Sequence, residues 1–194
     1  MLATMGKTPG EMQAAIAANL KRRTGKSVEQ WADDARRFAP ASRRGRVGWL
    51  ITEHGLPRTA ASMIAARAEG EADYSDPAAL LAGMFAGGKA ALRPIYDDIV
   101  KAATALGSDV QVLPCRTQVT LRRKRQFAWI KASTSTRLDL GVALPGFTPA
   151  GRLLRVAGTD DDDRVRLRIP VAARDEVDAE LKRWLKTAYD LDGR

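Results

Sequence analysis

The sequence predicts an α+β protein: a small N-terminal helical bundle followed by a domain in which helices flank an antiparallel sheet. Three observations predict it. Capped segments with a helical apolar period fill the first seventy residues, the period shortens to two after Gly107, and a helical period returns near the C-terminus.

In "TPGE", Thr8 is placed as N-cap, Pro9 at the first helical position and Glu11 where it completes a capping box. A helix over about 9–23 follows, with Met12, Ile16 and Leu20 on one face, a basic end at Lys21 to Arg23, and Gly25 as its cap. "SVEQ" repeats the signal at Ser27 and Gln30. The stripe Val28, Trp31, Ala35 and Phe38 then runs to Pro40. Ser42 is placed to cap a third helix carrying Val47, Leu50 and Ile51. A fourth begins after Pro57, with Ala61, Ile64, Ala65 and Ala68 facing inward.

The polar, turn-rich "EGEADYSDP" sets the domain boundary, giving a helical domain over 1–70, a linker over 71–77 and an α+β domain over 78–194. Beyond it come a short apolar helix over 78–86, a break at Gly87 and Gly88, and a longer helix from about Leu92 to Leu106 with Pro94 in its first turn. Cys115, Thr117, Val119 and Leu121 alternate with more polar neighbours, as do Leu138, Leu140, Val142 and Leu144. Val165, Leu167 and Ile169 alternate with Arg164, Arg166 and Arg168. A last helix over about 174–191 is expected to bury Val177, Leu181, Leu185 and Ala188.

A chain of 194 residues with 45% apolar and 28% charged residues has globular composition, and its net charge of +9 favours anionic partners. Cys115 stands alone, "MLATMGKTPGEMQ" lacks the apolar segment of a signal peptide, and no run of about 18 apolar residues is present to span a bilayer. A cytoplasmic protein with no membrane association is expected. Its oligomeric state is open.

"AANLKRRTGKSVEQW" with "EHGLPRTAASMIA" resembles the N-terminal helical domain of unknown function 4287. "YDDIVKAATALGSDV", "TLRRKRQFAWI", "RLDLGVAL" and "RDEVDAELKRWLKTAY" resemble the C-terminal domain of unknown function 5655. The two are often joined in bacterial proteins. The resemblance implies architecture and transfers no activity or catalytic residue.

The strongest candidate site is "TLRRKRQFAWI". One unbroken strand would place Arg123 and Arg125 on the same face as Val119 and Leu121, burying unpaired guanidinium groups, so a hairpin is expected. Residues 117–121 pair with 126–130, and the cations Arg122, Arg123, Lys124 and Arg125 form the turn. With no Gly, Asn or Asp available for positive φ, the loop is longer than two residues. These cations could contact phosphates while Trp129 or Phe127 stacks on bases; the competing reading is a solvated basic turn over core aromatics. Residues 109–144 carry seven Lys or Arg against two Asp or Glu, which concentrates charge here.

The acidic run Asp160 to Asp163 lacks the spacing of a calcium loop and reads as a surface loop. Its position relative to the basic turn depends on residues 152–157. A strand there in a simple meander sends it to the opposite sheet end, and otherwise it shares the end of the turn.

Residues 47–68 have helix, turn, helix form. A DNA-reading motif would expose Arg58, Thr59, Ser62 and Arg67, although an ordinary helical hairpin needs no DNA. A small-ligand pocket between sheet and helices would include Tyr96 or Tyr189, with residues 78–86 as a lid hinged at Gly87 and Gly88. His54 reads as a helix C-terminal residue and Cys115 as a small core residue. Asp97 and Asp98 diverge on a helix. No catalytic constellation, metal cluster or cofactor motif is recognised. The expectation is a non-enzymatic binding or adaptor protein whose basic surface engages nucleic acid or an acidic protein.

Overall fold

The computed structural model describes residues 7–71, 74, 76–160 and 162–193. It divides into two compact units, Lys7–Asp76 and Pro77–Arg194. Part of the expected linker, residues 72, 73 and 75, lies outside the described residues, as does Asp161 of the acidic run.

The first unit holds α1 (Pro9–Thr24), α2 (Val28–Phe38), α3 (Arg43–Thr52) and α4 (Arg58–Ala68). Both capping boxes form. Thr8 N donates to Glu11 at 2.6 Å while Glu11 N donates to Thr8 Oγ1 at 3.2 Å, and Ser27 and Gln30 exchange bonds of 2.8 and 3.2 Å. Gly25 closes α1 at φ 75°, a conformation that favours glycine. The alanine-rich α4 is the hub, touching α1, α2 and α3, because small side chains let all three approach closely. Ala61, Ile64 and Ala65 are fully buried on it, and Leu50 of α3 packs into the same core. Two expected stripes are shorter than their period suggested. Met12 and Phe38, at the outer ends of α1 and α2, are 53% and 69% exposed, because the bundle does not extend far enough to cover them.

The second unit begins with α5 (Pro77–Met84), a 3₁₀ turn (Gly87–Leu92) and α6 (Arg93–Thr104), with Pro94 in the first turn of α6. Six strands follow: β1 (Gln111–Pro114), β2 (Val119–Arg122), β3 (Gln126–Ala132), β4 (Leu138–Val142), β5 (Leu154–Arg155) and β6 (Leu167–Val171). After a 3₁₀ turn (Arg174–Glu176), α7 (Ala179–Gly193) ends the described chain, its first turn held by a bond of 2.9 Å from Leu181 N to Asp178 Oδ1. The sheet is antiparallel throughout, in the order β1-β2-β3-β4-β6-β5. No described helix is long and apolar enough to cross a membrane.

One sheet face is apolar. Val119, Leu121, Ile130, Leu138, Leu140, Val142 and Ile169 are at most 1% exposed and pack against Ile95 and Ile99 of α6 and Leu181 and Leu185 of α7. Each such side chain contributes about 1.5–3 kcal/mol by leaving water. The helices cover this face, so the alternate residues point away from them.

Three strand expectations change. Cys115 and Thr117 lie in the connection between β1 and β2, where Cys115 N donates to Gln118 O at 2.8 Å, and not in a strand. The β1 strand just before them escaped the pattern because all four of its residues are half-buried and show no alternation. Residues 154 and 155 do form a strand, but on the far side of β6 from β4. The loop joining β5 to β6 therefore lies at the same sheet end as the β2–β3 turn.

On the face turned away from the helices, Trp129 pairs in register with Gly141, which pairs with Arg168. A Cβ added at Gly141 would penetrate the Trp129 indole ring. Gly141→Ala is therefore expected to cost about 1–3 kcal/mol through overpacking. Urea unfolding monitored by circular dichroism checks the loss, and a shift of tryptophan emission checks the displacement of the ring.

Candidate polyanion interface

The four cations of the opening candidate do sit at a hairpin end. Arg122 pairs with Gln126, and residues 123–125 form a three-residue loop closed by a bond of 3.0 Å from Arg123 N to Arg125 O. No described non-glycine residue needs positive φ to make it. A bulge between Leu121 and Arg122 shifts the register as the strand enters the turn, and Phe127 on the facing strand is fully buried in the core.

Much of the charge of this turn is spent internally. Asp192, from the last turn of α7, is fully buried. Its Oδ2 accepts the amides of Lys124 and Arg125, both at 2.9 Å, and its Oδ1 accepts from Arg164 Nη2. Arg125 Nε adds an ion pair at 3.6 Å. The Arg122 guanidinium donates to Gln111 Oε1 at 2.8 and 3.0 Å, and Lys124 Nζ donates to Gly193 O at 2.7 Å. Arg123 donates to Asp109 Oδ2 at 2.6 Å and lies 4.3 Å over the Tyr189 ring. The turn is thus a receptor for a buried carboxylate of its own chain. A grip for a foreign polyanion would need cations that the fold has not already engaged.

The acidic loop adopts the alternative in which it shares the end of the turn. Arg164, just past it, donates from Nε to Gln126 O at 2.6 Å. Within the loop Asp160 Oδ1 accepts the amides of Asp162 and Asp163 at 3.0 and 3.2 Å, an acidic turn folded on its own backbone. The buried carboxylate at the basic turn is Asp192, which sequence reasoning missed. It stands 68 residues from Lys124, and no local pattern marks it.

Trp129 is placed differently from the turn. It lies on the outer face of β3, half-buried, about four residues or 13 Å along the chain from Arg125. The row across the sheet reads Leu113, Thr120, Trp129, Gly141, Arg168 and Leu154. The flanking rows add Arg122, Lys131 and the neighbouring Arg166, of which Lys131 is exposed. Asp139 is the acid of this face. It is 5% exposed and accepts from Ser133 Oγ at 2.5 Å and Arg168 Nη1 at 2.7 Å, with Arg137 Nε at 3.3 Å. This is an open antiparallel face with one indole, several cations and one neutralised carboxylate. Such a surface can stack a planar ring and hold anions beside it.

The other candidates are not assembled into sites. α4 is enclosed: α1 lies along it, with one groove bordered by Thr59 and another bordered by Arg67 and Met63. Arg58 and Thr59 are exposed, while Ser62 and Arg67 are half-buried. A recognition helix must offer a free face to the major groove, and here α1 borders the side that carries Thr59 and Arg67, leaving Arg58 and Thr59 exposed at the start of α4. Tyr96 and Tyr189 are 3% and 8% exposed in packed surroundings. Tyr96 meets Phe85 at 5.1 Å, and Tyr189 meets Phe127 at 5.7 Å and donates its hydroxyl to Asp109 Oδ1 at 2.7 Å. Burial raises the pKa of Tyr96, and the bond to Asp109 raises that of Tyr189. Leu80, Met84 and Phe85 are core residues, so the segment expected as a lid is fixed. His54 stands between Trp31 and Trp49, with ring centroids at 4.9 and 4.3 Å. Burial raises the pKa of the Cys115 thiol, the opposite of what activates a nucleophile. Among the described residues no cluster of His, Cys, Asp or Glu is arranged to hold a metal ion.

Fold and surface together define a two-unit α+β protein with a cationic sheet face. Residues 82–192 match the family described as Domain of unknown function (DUF5655), and residues 6–70 match that described as Domain of unknown function (DUF4287). The first match covers more than half of the chain, which belongs to the DUF5655 family. No curated protein and no solved structure matches it.

Two expected outcomes follow from the clasp. Asp192→Ala strands two amides and a guanidinium, so a loss of about 3–5 kcal/mol is expected in urea unfolding. Asp109 is held below the usual carboxylate range by its hydrogen bonds from Tyr189 and Arg123. A depressed folded pKa stabilises above the unfolded value, near 3.9, and that contribution is lost as pH falls through the folded value. Asp109→Asn should therefore melt below the parent at pH 7, and the gap should begin to narrow below about pH 4 and close only below the folded value. A gap independent of pH would contradict this.

Proposed function

We propose that this protein is a non-enzymatic, cytoplasmic binding protein that engages single-stranded nucleic acid on the outer face of its sheet. Trp129 serves as the stacking platform, the exposed Lys131 serves as the phosphate contact, and Arg168, one of whose nitrogens is held by Asp139, adds positive charge beside them. The observation that carries this reading is the row Trp129, Gly141, Arg168 on a face the helices leave open. Glycine at the centre lets the indole lie flat beside it, and the guanidinium sits two strands away, about 10 Å, where it can meet a backbone leaving the stacked base. Net charge supports the same reading, since a total of +9 attracts polyanions at long range. A single strand is favoured over a duplex because the ring lies within a sheet face and not on an element projecting into a groove, whereas bases splayed from a single strand can reach it.

This reading moves the contact away from the β2–β3 turn. Arg123 and Lys124 are engaged in holding α7, so changing them should lower stability before it lowers affinity.

The test is fluorescence anisotropy with labelled single-stranded DNA and RNA at about 50 mM salt. Trp129→Ala is expected to weaken binding by about 1–3 kcal/mol. Lys131→Ala is expected to reduce the slope of log affinity against log salt by about 0.7. Absence of binding to every single-stranded probe, or equal binding by Trp129→Ala, would overturn the reading.

A further inference from the structure

A second open surface lies on the helical side of the same unit. A groove of about 840 Å³ runs between α6 and α7. Its floor is apolar and largely small: Ala102, Ala105 and Leu106 on one side, Val177 and Leu185 on the other. Its rims are cationic. Lys101 follows the α6 edge, Lys182 and Lys186 the α7 edge, and Arg174 stands at the 3₁₀ turn preceding α7.

The charges of this groove are poorly matched from within. Asp98 is the acid in its lining, and Arg174 takes it in a two-pronged pair of 2.7 and 3.0 Å. Lys186 reaches Asp190 at 2.6 Å, an exposed pair one turn apart. Arg183 leans over the Trp184 ring at 5.5 Å. Lys101 and Lys182 are exposed and carry no ion pair among the described residues.

We propose that this groove docks an acidic amphipathic helix of a partner protein. Two packed helices with a shallow alanine-rich seam offer the space a third helix fills at an interaxial distance of about 8–10 Å. Lys182 and Lys186 are four residues apart on α7, a rise of about 6 Å, which is also the repeat of carboxylates at i and i+4 on a docking helix. Apolar side chains of the partner would pack on Ala105, Leu106 and Ala179, the lining still accessible above the buried Val177 and Leu185, while its carboxylates meet the lysine rims, the helix-in-groove mode of recognition. Nucleic acid fits less well here. The residues that line it include no aromatic ring on which a base could stack. A bilayer fits less well too, because the apolar surface is concave.

The probe is a fluorescein-labelled 16-residue helical peptide with Leu and Ala on one face and Glu at i and i+4 along its flanks. Its charge-reversed twin carries Lys in place of Glu, and both are titrated against the full chain. The acidic peptide is expected to bind and the basic one not. The double substitution Lys101→Glu and Lys182→Glu should weaken the acidic peptide by about tenfold or more and allow the basic peptide to bind, a charge swap that loss of structure cannot imitate. Trp129→Ala should leave peptide binding unchanged, which separates this surface from the proposed nucleic-acid face. Amide chemical-shift changes should be confined to α6, the 3₁₀ turn before α7, and α7. No binding of the acidic peptide up to about 1 mM would overturn the proposal. So would equal affinity in the double variant, or shift changes on β3 and β4.

Discussion

The second unit depends on one buried carboxylate. Asp192 is fully enclosed, and an ionised carboxylate in that position is tolerable only with its oxygens paired. It finds two amides of the β2–β3 turn and the guanidinium of Arg164, so three distant parts of the chain meet at one group: the sheet end, the approach to β6 and the last turn of α7. A neighbouring contact acts with it. Asp109 holds Arg123, Arg123 covers Tyr189, and the Tyr189 hydroxyl returns to Asp109. Together with Lys124 Nζ on Gly193 O at 2.7 Å and the Arg152–Glu180 pair at 3.9 Å, these ties fix the register of α7 on the sheet, which apolar burial alone leaves free to rotate about the helix axis.

This clasp also decides where the net positive charge is available. Carboxylates of the unit are committed to particular cations: Asp192 to Arg164 and Arg125, Asp109 to Arg123, Asp98 to Arg174, and Asp178 to Arg152 at 2.6 Å. In the densest run of cations, Arg122 and Arg123 are therefore engaged within the fold, while Lys124 and Arg125 reach the surface. Lys131 on the sheet and Lys101 on α6 have no cation next to them in the sequence, and with Lys182 on α7 they stand exposed in the fold. Linear charge density and accessible charge have separated, since the first is set by composition and the second by long-range pairing.

What was legible in the chain was local. Capping boxes at Thr8 and Ser27, the buried face of α4 and the inner positions of β4 and β6 follow from bonds and periods within a few residues. The hairpin at Arg122 to Arg125 was also legible, because burying two guanidinium groups on an apolar face is prohibitive. The partners of that hairpin were not. Asp192 and Asp109 act across 68 and 14 residues, and nothing in their own neighbourhoods distinguishes them from solvated carboxylates. The placement of β5 beyond β6 was hidden for the same reason. A two-residue strand has no period, and its neighbour is chosen by tertiary packing. Met12 and Phe38 show the converse, a correct period continued past the end of the surface that buries it.

The outer sheet face turns on the meaning of Gly141 opposite Trp129. A glycine in a strand interior weakens it, and an aromatic side chain laid across the gap restores packing, so the pair alone is accounted for by stability. Stability does not account for the surroundings. A face serving only to solvate the sheet would gain from alternating charges paired across strands, each worth about 0.2–1 kcal/mol. Here Lys131 is the register partner of Asp139, but Asp139 is turned to Ser133, Arg137 and Arg168, all on its own or neighbouring segments, leaving Lys131 exposed beside the indole. Arg168 on β6 pairs with Asp139 on β4 at 2.7 Å, a cross-strand tie that serves the sheet, whereas Lys131 beside the indole takes no part in it. The proposed ligand is accordingly nucleic acid and not a featureless polyanion, because charge alone would not need the ring.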